Sequence, residues 1–157
     1  MTRPIVAMGI FDGVHRGHQA ILTRAVRRAR VLRTTPVALT FWPHPAAVVA
    51  PWRVPTLLLS LDQRRAAIAA CGIRRTVVLH FTKHFSQWSP EQFVERVLVR
   101  RLGAREVVVG HDFRFGHGRV GMSGCCDGWR APAGSACTSS PPCAWVACAS
   151  RRAASAR

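Results

Sequence analysis

The chain has 157 residues, enough for one domain that buries about two thirds of its unfolded surface, and its 23 Lys+Arg against 7 Asp+Glu give a formal charge of +16. Such a charge favours an anionic partner, but every basic residue except Lys83 is an arginine, and they are dispersed with no dense tract, which disfavours a dedicated nucleic-acid surface. The uncharged stretches 34–52 and 131–150 are broken by Pro36, Pro43, Pro45 and Pro51 and by Pro132, Pro141 and Pro142, which excludes them as membrane spans; Asp12 cuts the apolar run at the N-terminus, which excludes an ordinary signal peptide and predicts a cytoplasmic protein.

In chain order, residues 5–9 form a short apolar run ending in Gly9 and predict a buried strand. Residues 18–32 carry Ile21, Leu22, Ala25, Val26 and Ala29 at helical spacing, with arginines on the other faces, and predict an amphipathic helix. A second strand is expected over 36–41, followed by a proline-rich loop through Pro55. A helix over 62–71 stops at Gly72, and residues 76–79 read as a third strand. Ser89-Pro90-Glu91-Gln92 opens a further helix, with a serine cap, proline at the first helical position and Gln92 completing a capping box; it runs to about Leu102 and closes at Gly103. Residues 106–110 are a continuous valine-rich run of the kind a parallel sheet buries on both faces.

Alternating strands and helices predict an α/β fold built on an open parallel sheet, in which ligands bind at the carboxyl ends of the strands. From Met122 onward periodicity and caps disappear. We therefore expect a core over 1–121 and an irregular tail over 122–157, whose abrupt change of composition is that of out-of-frame translation. Five of the six cysteines (Cys125, Cys126, Cys137, Cys143, Cys148) lie in that tail and Cys71 lies outside it. With no Cys-x-x-Cys spacing and no histidine among them, no metal site is predicted.

The chemistry concentrates in Gly9-Ile10-Phe11-Asp12-Gly13-Val14-His15-Arg16-Gly17-His18. A strand ending at Gly9 and a helix starting near His18 aim backbone N–H groups and the positive helix end at one spot, an anion site. Gly13 and Gly17 permit tight turning, and His15 and His18 can donate to phosphate oxygens. His-x-x-His alone also occurs on ordinary surfaces; the whole string is more specific. It resembles the signature of the nucleotidylyltransferase superfamily, and its Phe-Asp-Gly-Val-His form is similar to that of the prokaryotic FAD synthetases. Thr40-Phe41-Trp42-Pro43-His44-Pro45 resembles the Thr-Phe-x-Pro-His-Pro segment of those enzymes, Trp42 departing from the polar residue often found there, and Val109-Gly110-His111-Asp112-Phe113-Arg114-Phe115-Gly116 is similar to their Gly-x-Asn/Asp-Phe-x-Phe-Gly segment. Outside the resemblance, the second segment reads as a proline-stiffened loop and the aromatic pair of the third as core. Shorter similarities at Phe81-Thr82, Ser89-Pro90-Glu91-Gln92-Phe93 and Leu102-Gly103-Ala104 extend the likeness over roughly residues 5–121.

The resemblance implies a Rossmann-like nucleotidylyltransferase core, incomplete at its C-terminus, that transfers AMP from ATP to FMN with Mg²⁺ on the phosphates. It gives His15 and His18 the catalytic role, Gly9, Phe11, Asp12, Gly13 and Gly17 the ATP-phosphate loop, and His44, Asp112, Phe113 and Arg114 the FMN side. The family's later Ser/Thr-rich segment ending in Arg and its riboflavin kinase β-barrel are not recognisable in the sequence. Two other readings stand beside this one: a superfamily member with another acceptor, such as phosphopantetheine or nicotinamide mononucleotide, and an inactive basic remnant that binds RNA non-specifically.

Overall fold

In the computed structural model, residues 3–110, 113–119, 121–122 and 146–148 are described. The strands are β1 (Ile5–Met8), β2 (Pro36–Trp42), β3 (Arg75–His80), β4 (Glu106–Val108), the short β5 (Arg114–Phe115) and β6 (Gly121–Met122), and β7 (Val146–Cys148). The helices are α1 (Arg16–Val31), α2 (Pro45–Val49), α3 (Leu61–Ala70), α4 (Lys83–Ser86) and α5 (Pro90–Phe93), the last running on into a π-helical stretch (Val94–Arg101).

The main sheet has the order β3-β2-β1-β4-β7. Its first four strands are parallel, with Ile5 opposite both Pro36 and Glu106, as expected for strands alternating with helices. β7, in the stretch read above as irregular, adds an antiparallel edge to β4, while β5 and β6 pair as a separate ribbon. The chain winds outward from β1 to β2 and β3 and then returns across β1 to β4. The order therefore reverses beside β1, the place where open α/β sheets form their ligand crevice.

All four residues of β1 are buried, because the strand is central and covered on both faces. Period-two alternation splits it: Ile5 and Ala7 join Leu22, Ala25, Ala29, Ile68 and Val108 in one core, and Val6 and Met8 join Leu39, Phe41, Leu79, Phe93, Val97 and Leu98 in the other. Helix α1 buries the five apolar positions expected of it, Ile21, Leu22, Ala25, Val26 and Ala29. It begins at Arg16, two residues before the expected start, because the His15 side chain caps it by accepting the Gly17 N–H. The Ser89–Gln92 capping box forms as predicted, and a second one, Ser60 with Gln63, opens α3. Glu106, at the start of β4, is buried and takes a two-pronged hydrogen bond from Arg28 of α1 at 2.7 and 2.8 Å, tying helix to sheet through a charged pair.

Candidate functional site

At the carboxyl end of β1 the backbone turns sharply. Gly9 donates to the carbonyl of Leu39, extending the β1–β2 ladder by one bond. Phe11 then adopts a left-handed conformation at φ 56° with its ring fully buried. Gly13 follows at φ 75° and Val14 at φ 38°. A left-handed non-glycine residue costs about 1–2 kcal/mol, so this loop is held in shape by its surroundings. At Gly13 a side chain is excluded twice, by the positive φ and by Leu58, whose Cδ1 lies 2.8 Å from where a Cβ would stand.

The turn delivers two imidazoles to the N-terminus of α1. The rings of His15 and His18 stack with centroids 3.7 Å apart at 23°, and Phe11 meets His18 edge-on at 5.4 Å. His15 Nδ1 is the acceptor of the Gly17 N–H at 3.2 Å, so in the neutral ring the proton sits on Nε2 and makes it the donor. The first turn of α1 has no acidic residue to offset the positive helix end. Burial, and then the neighbouring His15, push the pKa of His18 down to about 4, against the opposing pull of Asp12. At neutral pH His18 is therefore an uncharged hydrogen-bonding group, and its Nδ1 is buried without a hydrogen-bond partner among the described residues.

Asp12 also bonds the segment before α3. Its two carboxylate oxygens accept the backbone N–H groups of Leu58 at 2.9 Å and Leu59 at 3.1 Å. Desolvation raises its pKa, but these two bonds and the Arg64 guanidinium, 3.8 Å away, outweigh that and hold the carboxyl below its usual value. The sequence reading put Asp12 in the phosphate loop as a binding residue. In the structure its carboxylate fastens the loop to the segment before α3.

His44 follows β2 as the N-cap of α2, with its Nδ1 accepting the Ala46 N–H at 3.1 Å. Burial and the Arg64 charge lower its pKa. Thr40, fully buried, donates from Oγ1 to the carbonyl of Ile10 at 2.8 Å and so ties β2 to the loop after β1. Phe113 is half-buried in the second core, stacked on Phe115 at 6.0 Å, and Arg114 is exposed on β5. Asp112 lies outside the described residues.

The structure thus brings Gly9, Phe11, Asp12, Gly13, His15, Gly17 and His18 into one turn, with His44 within electrostatic reach of Asp12 and of Arg64. Sequence reasoning quoted Thr40 within the second motif without foreseeing its bond to Ile10, and it missed Arg64, which stands against Asp12 and Phe41. Arg64 had one available signal: it stands four residues before Ile68, on the inward face of α3.

Against known proteins, the model of one family, described as FAD synthetase, matches residues 1–145. The "putative bifunctional riboflavin kinase/FMN adenylyltransferase" of Geobacillus thermodenitrificans is 39% identical over 117 residues, which are 74% of this chain and 63% of that one. The bifunctional riboflavin kinase/FMN adenylyltransferase of Pseudomonas fluorescens is also 39% identical, over 74% of this chain and 37% of its own length. The chain therefore spans between about a third and two thirds of these relatives. Among solved structures, the macrolide-efflux protein from Streptococcus pneumoniae superposes with a TM-score of 0.65 at 27% identity, over 74% of this chain and 39% of that one. Among the described residues no helix is long and apolar enough to cross a membrane. With a signature loop at the switch point of a parallel sheet and a family match over residues 1–145, the chain belongs to the FAD synthetase family.

Proposed function

We propose that this chain is an FMN adenylyltransferase, forming FAD and pyrophosphate from ATP and FMN. The observation that carries the reading is the stacked His15–His18 pair at the N-terminus of α1, beside the strand-order reversal. The names of the two relatives support FMN as the acceptor.

An oxygen of the FMN phosphate attacks the α-phosphorus of ATP in line. The P–O bond to the β-phosphate breaks, and its electron pair leaves with pyrophosphate. The attacking phosphate is already anionic near neutral pH, so no general base is required. What the reaction does need is stabilisation of charge on the α- and β-phosphates. The imidazoles of His15 and His18, the latter uncharged at neutral pH, the N–H groups of the turn and the α1 dipole supply it. Gly9, Phe11, Gly13 and Gly17 give the loop its path, and Asp12 holds it in place. His44, Asp112, Phe113 and Arg114 form the FMN side, with aromatic contact for the ring and a guanidinium for the phosphate.

Mg²⁺ neutralises phosphate charge when it is bound with ATP. In this reading residues 1–121 are the catalytic core, the partners are small molecules and the location is the cytoplasm.

The test is FAD formation by the purified chain with ATP, Mg²⁺ and FMN, alongside His18→Ala. Activity lost in the variant is expected. Equal turnover by both proteins removes the assignment of the site. Activity with phosphopantetheine or nicotinamide mononucleotide in place of FMN points to another acceptor, and salt-sensitive binding of random RNA without saturable ATP or FMN binding points to a basic remnant.

A further inference from the structure

Among the arginines of this chain, Arg64 is fully buried. Taking a guanidinium out of water is costly unless its donors are met, yet here they are met sparsely. Nη1 donates to the carbonyl of Phe41 at 3.5 Å, Nη2 stands 3.8 Å from the Asp12 carboxylate, and the group lies over the Trp42 ring at 5.7 Å. Nε and Nη2 have no hydrogen-bond partner among the described residues. A buried cation so thinly bonded needs a reason beyond stability.

Its contacts suggest one. Asp12 belongs to the turn that presents His15 and His18, and it also holds Leu58 and Leu59. Phe41 and Trp42 form the carboxyl end of β2, two residues before His44. The two halves of the candidate site come from different strands, and Arg64 is bonded to one and ion-paired with the other. Leu58 in turn closes against Gly13, so the segment Asp12 fastens packs directly on the phosphate loop.

We infer that Arg64 is a positioning residue of this site: its buried, forked guanidinium clamps the Asp12 turn to the carboxyl end of β2, fixing the His15–His18 pair relative to His44. The inference rests on the adenylyltransferase reading for its kinetic consequence, but the clamp itself has readouts that need no substrate. A planar fork can serve Asp12 and Phe41 at once, whereas an ammonium is a single point charge. Replacement by lysine therefore separates the charge from the clamp.

The experiment compares the full chain with Arg64→Lys, Arg64→Met and, as a neighbouring control on the exposed face of α3, Arg65→Met. Rates of FAD formation are measured together with amide exchange at Leu58 and Leu59 and the NMR titration of His44. The charged groups acting on His44 are Arg64 of α3 and Asp12 of the turn, so loss of the Arg64 charge moves its titration upward. In Arg64→Met we expect kcat to fall by at least about tenfold with a smaller change in KM, exchange at Leu58 and Leu59 to speed up by at least about tenfold while α1 amides stay protected, and His44 to titrate higher. In Arg64→Lys the rate falls and exchange quickens, but His44 titrates as in the parent. Arg65→Met matches the parent throughout.

Parent-like exchange at Leu58 and Leu59 in a folded Arg64 variant overturns the clamp. So does faster exchange that spreads equally through α1, which marks general destabilisation. If Arg64→Met fails to fold, Arg64→Lys decides by the same exchange measurement. If the parent chain makes no FAD, the adenylyltransferase reading falls, and exchange together with the His44 titration still decides for or against the clamp.

Discussion

Protonating His18 costs the folded chain stability, which makes this imidazole the sharpest single test of the loop's geometry. Its pKa falls from 6.5 to about 4 because burial and the stacked His15 disfavour the cation. The unfolded chain takes up the proton as pH drops through 6.5 while the folded chain resists it until about 4. Stability is thus fully present above 6.5 and is lost as pH falls through that window. Between pH 7 and pH 5 the two pKa values correspond to about 2 kcal/mol, and the ring's partial contact with solvent reduces this to about 1 kcal/mol. Asp12 adds nothing in this range, since its carboxyl titrates below 3.8, but His44, also lowered, adds a loss of the same sign. Urea unfolding at both pH values, for the parent and for His18→Gln, isolates the His18 part: the parent loses about 1 kcal/mol more than the variant. Equal losses, or a His18 ring that titrates near 6.5 by NMR, would refute the stacked, half-buried arrangement.

Three further substitutions probe the frame around that pair. Glu106→Ala removes both hydrogen bonds from Arg28 to a buried carboxylate and lowers the unfolding free energy by about 2 kcal/mol, moderated by the solvent exposure of Arg28; thermal unfolding measures it. Ser60→Ala breaks the capping box of α3 at a cost of about 1 kcal/mol, read by the same method. Asp12→Asn keeps the side chain's shape but weakens its hold on the Leu58 and Leu59 amides, so it lowers stability by about 1 kcal/mol and slows FAD formation without abolishing it, as steady-state kinetics would record.

The parallel sheet was legible because each strand is a short apolar run and each helix shows its apolar face locally, as α1 does at Ile21, Leu22, Ala25, Val26 and Ala29. The turn after β1 was legible because its glycines and histidines stand at fixed spacing, and the structure stacks His15 on His18 there. What escaped was long-range. The hold of Asp12 on the amides of Leu58 and Leu59, some 46 positions away, has no local signal in the sequence. Arg64 is hidden among many arginines, in a helix that buries little besides Ile68. Val146–Cys148 has no alternating pattern to mark a strand, and pairing with β4 makes it one. The aromatic pair Phe113 and Phe115 fits both substrate contact and core in sequence, because a flat apolar ring suits either, and in the structure both pack against the second core.

The most direct measurement is the fate of the α-phosphorus. With ATP labelled at that position, Mg²⁺ and FMN, the label should pass into FAD in step with pyrophosphate release, and none should remain on the protein, since no covalent enzyme intermediate is needed when His15 and His18 only stabilise charge. Label retained on the chain, or pyrophosphate released without labelled FAD, would contradict direct adenylyl transfer at this loop.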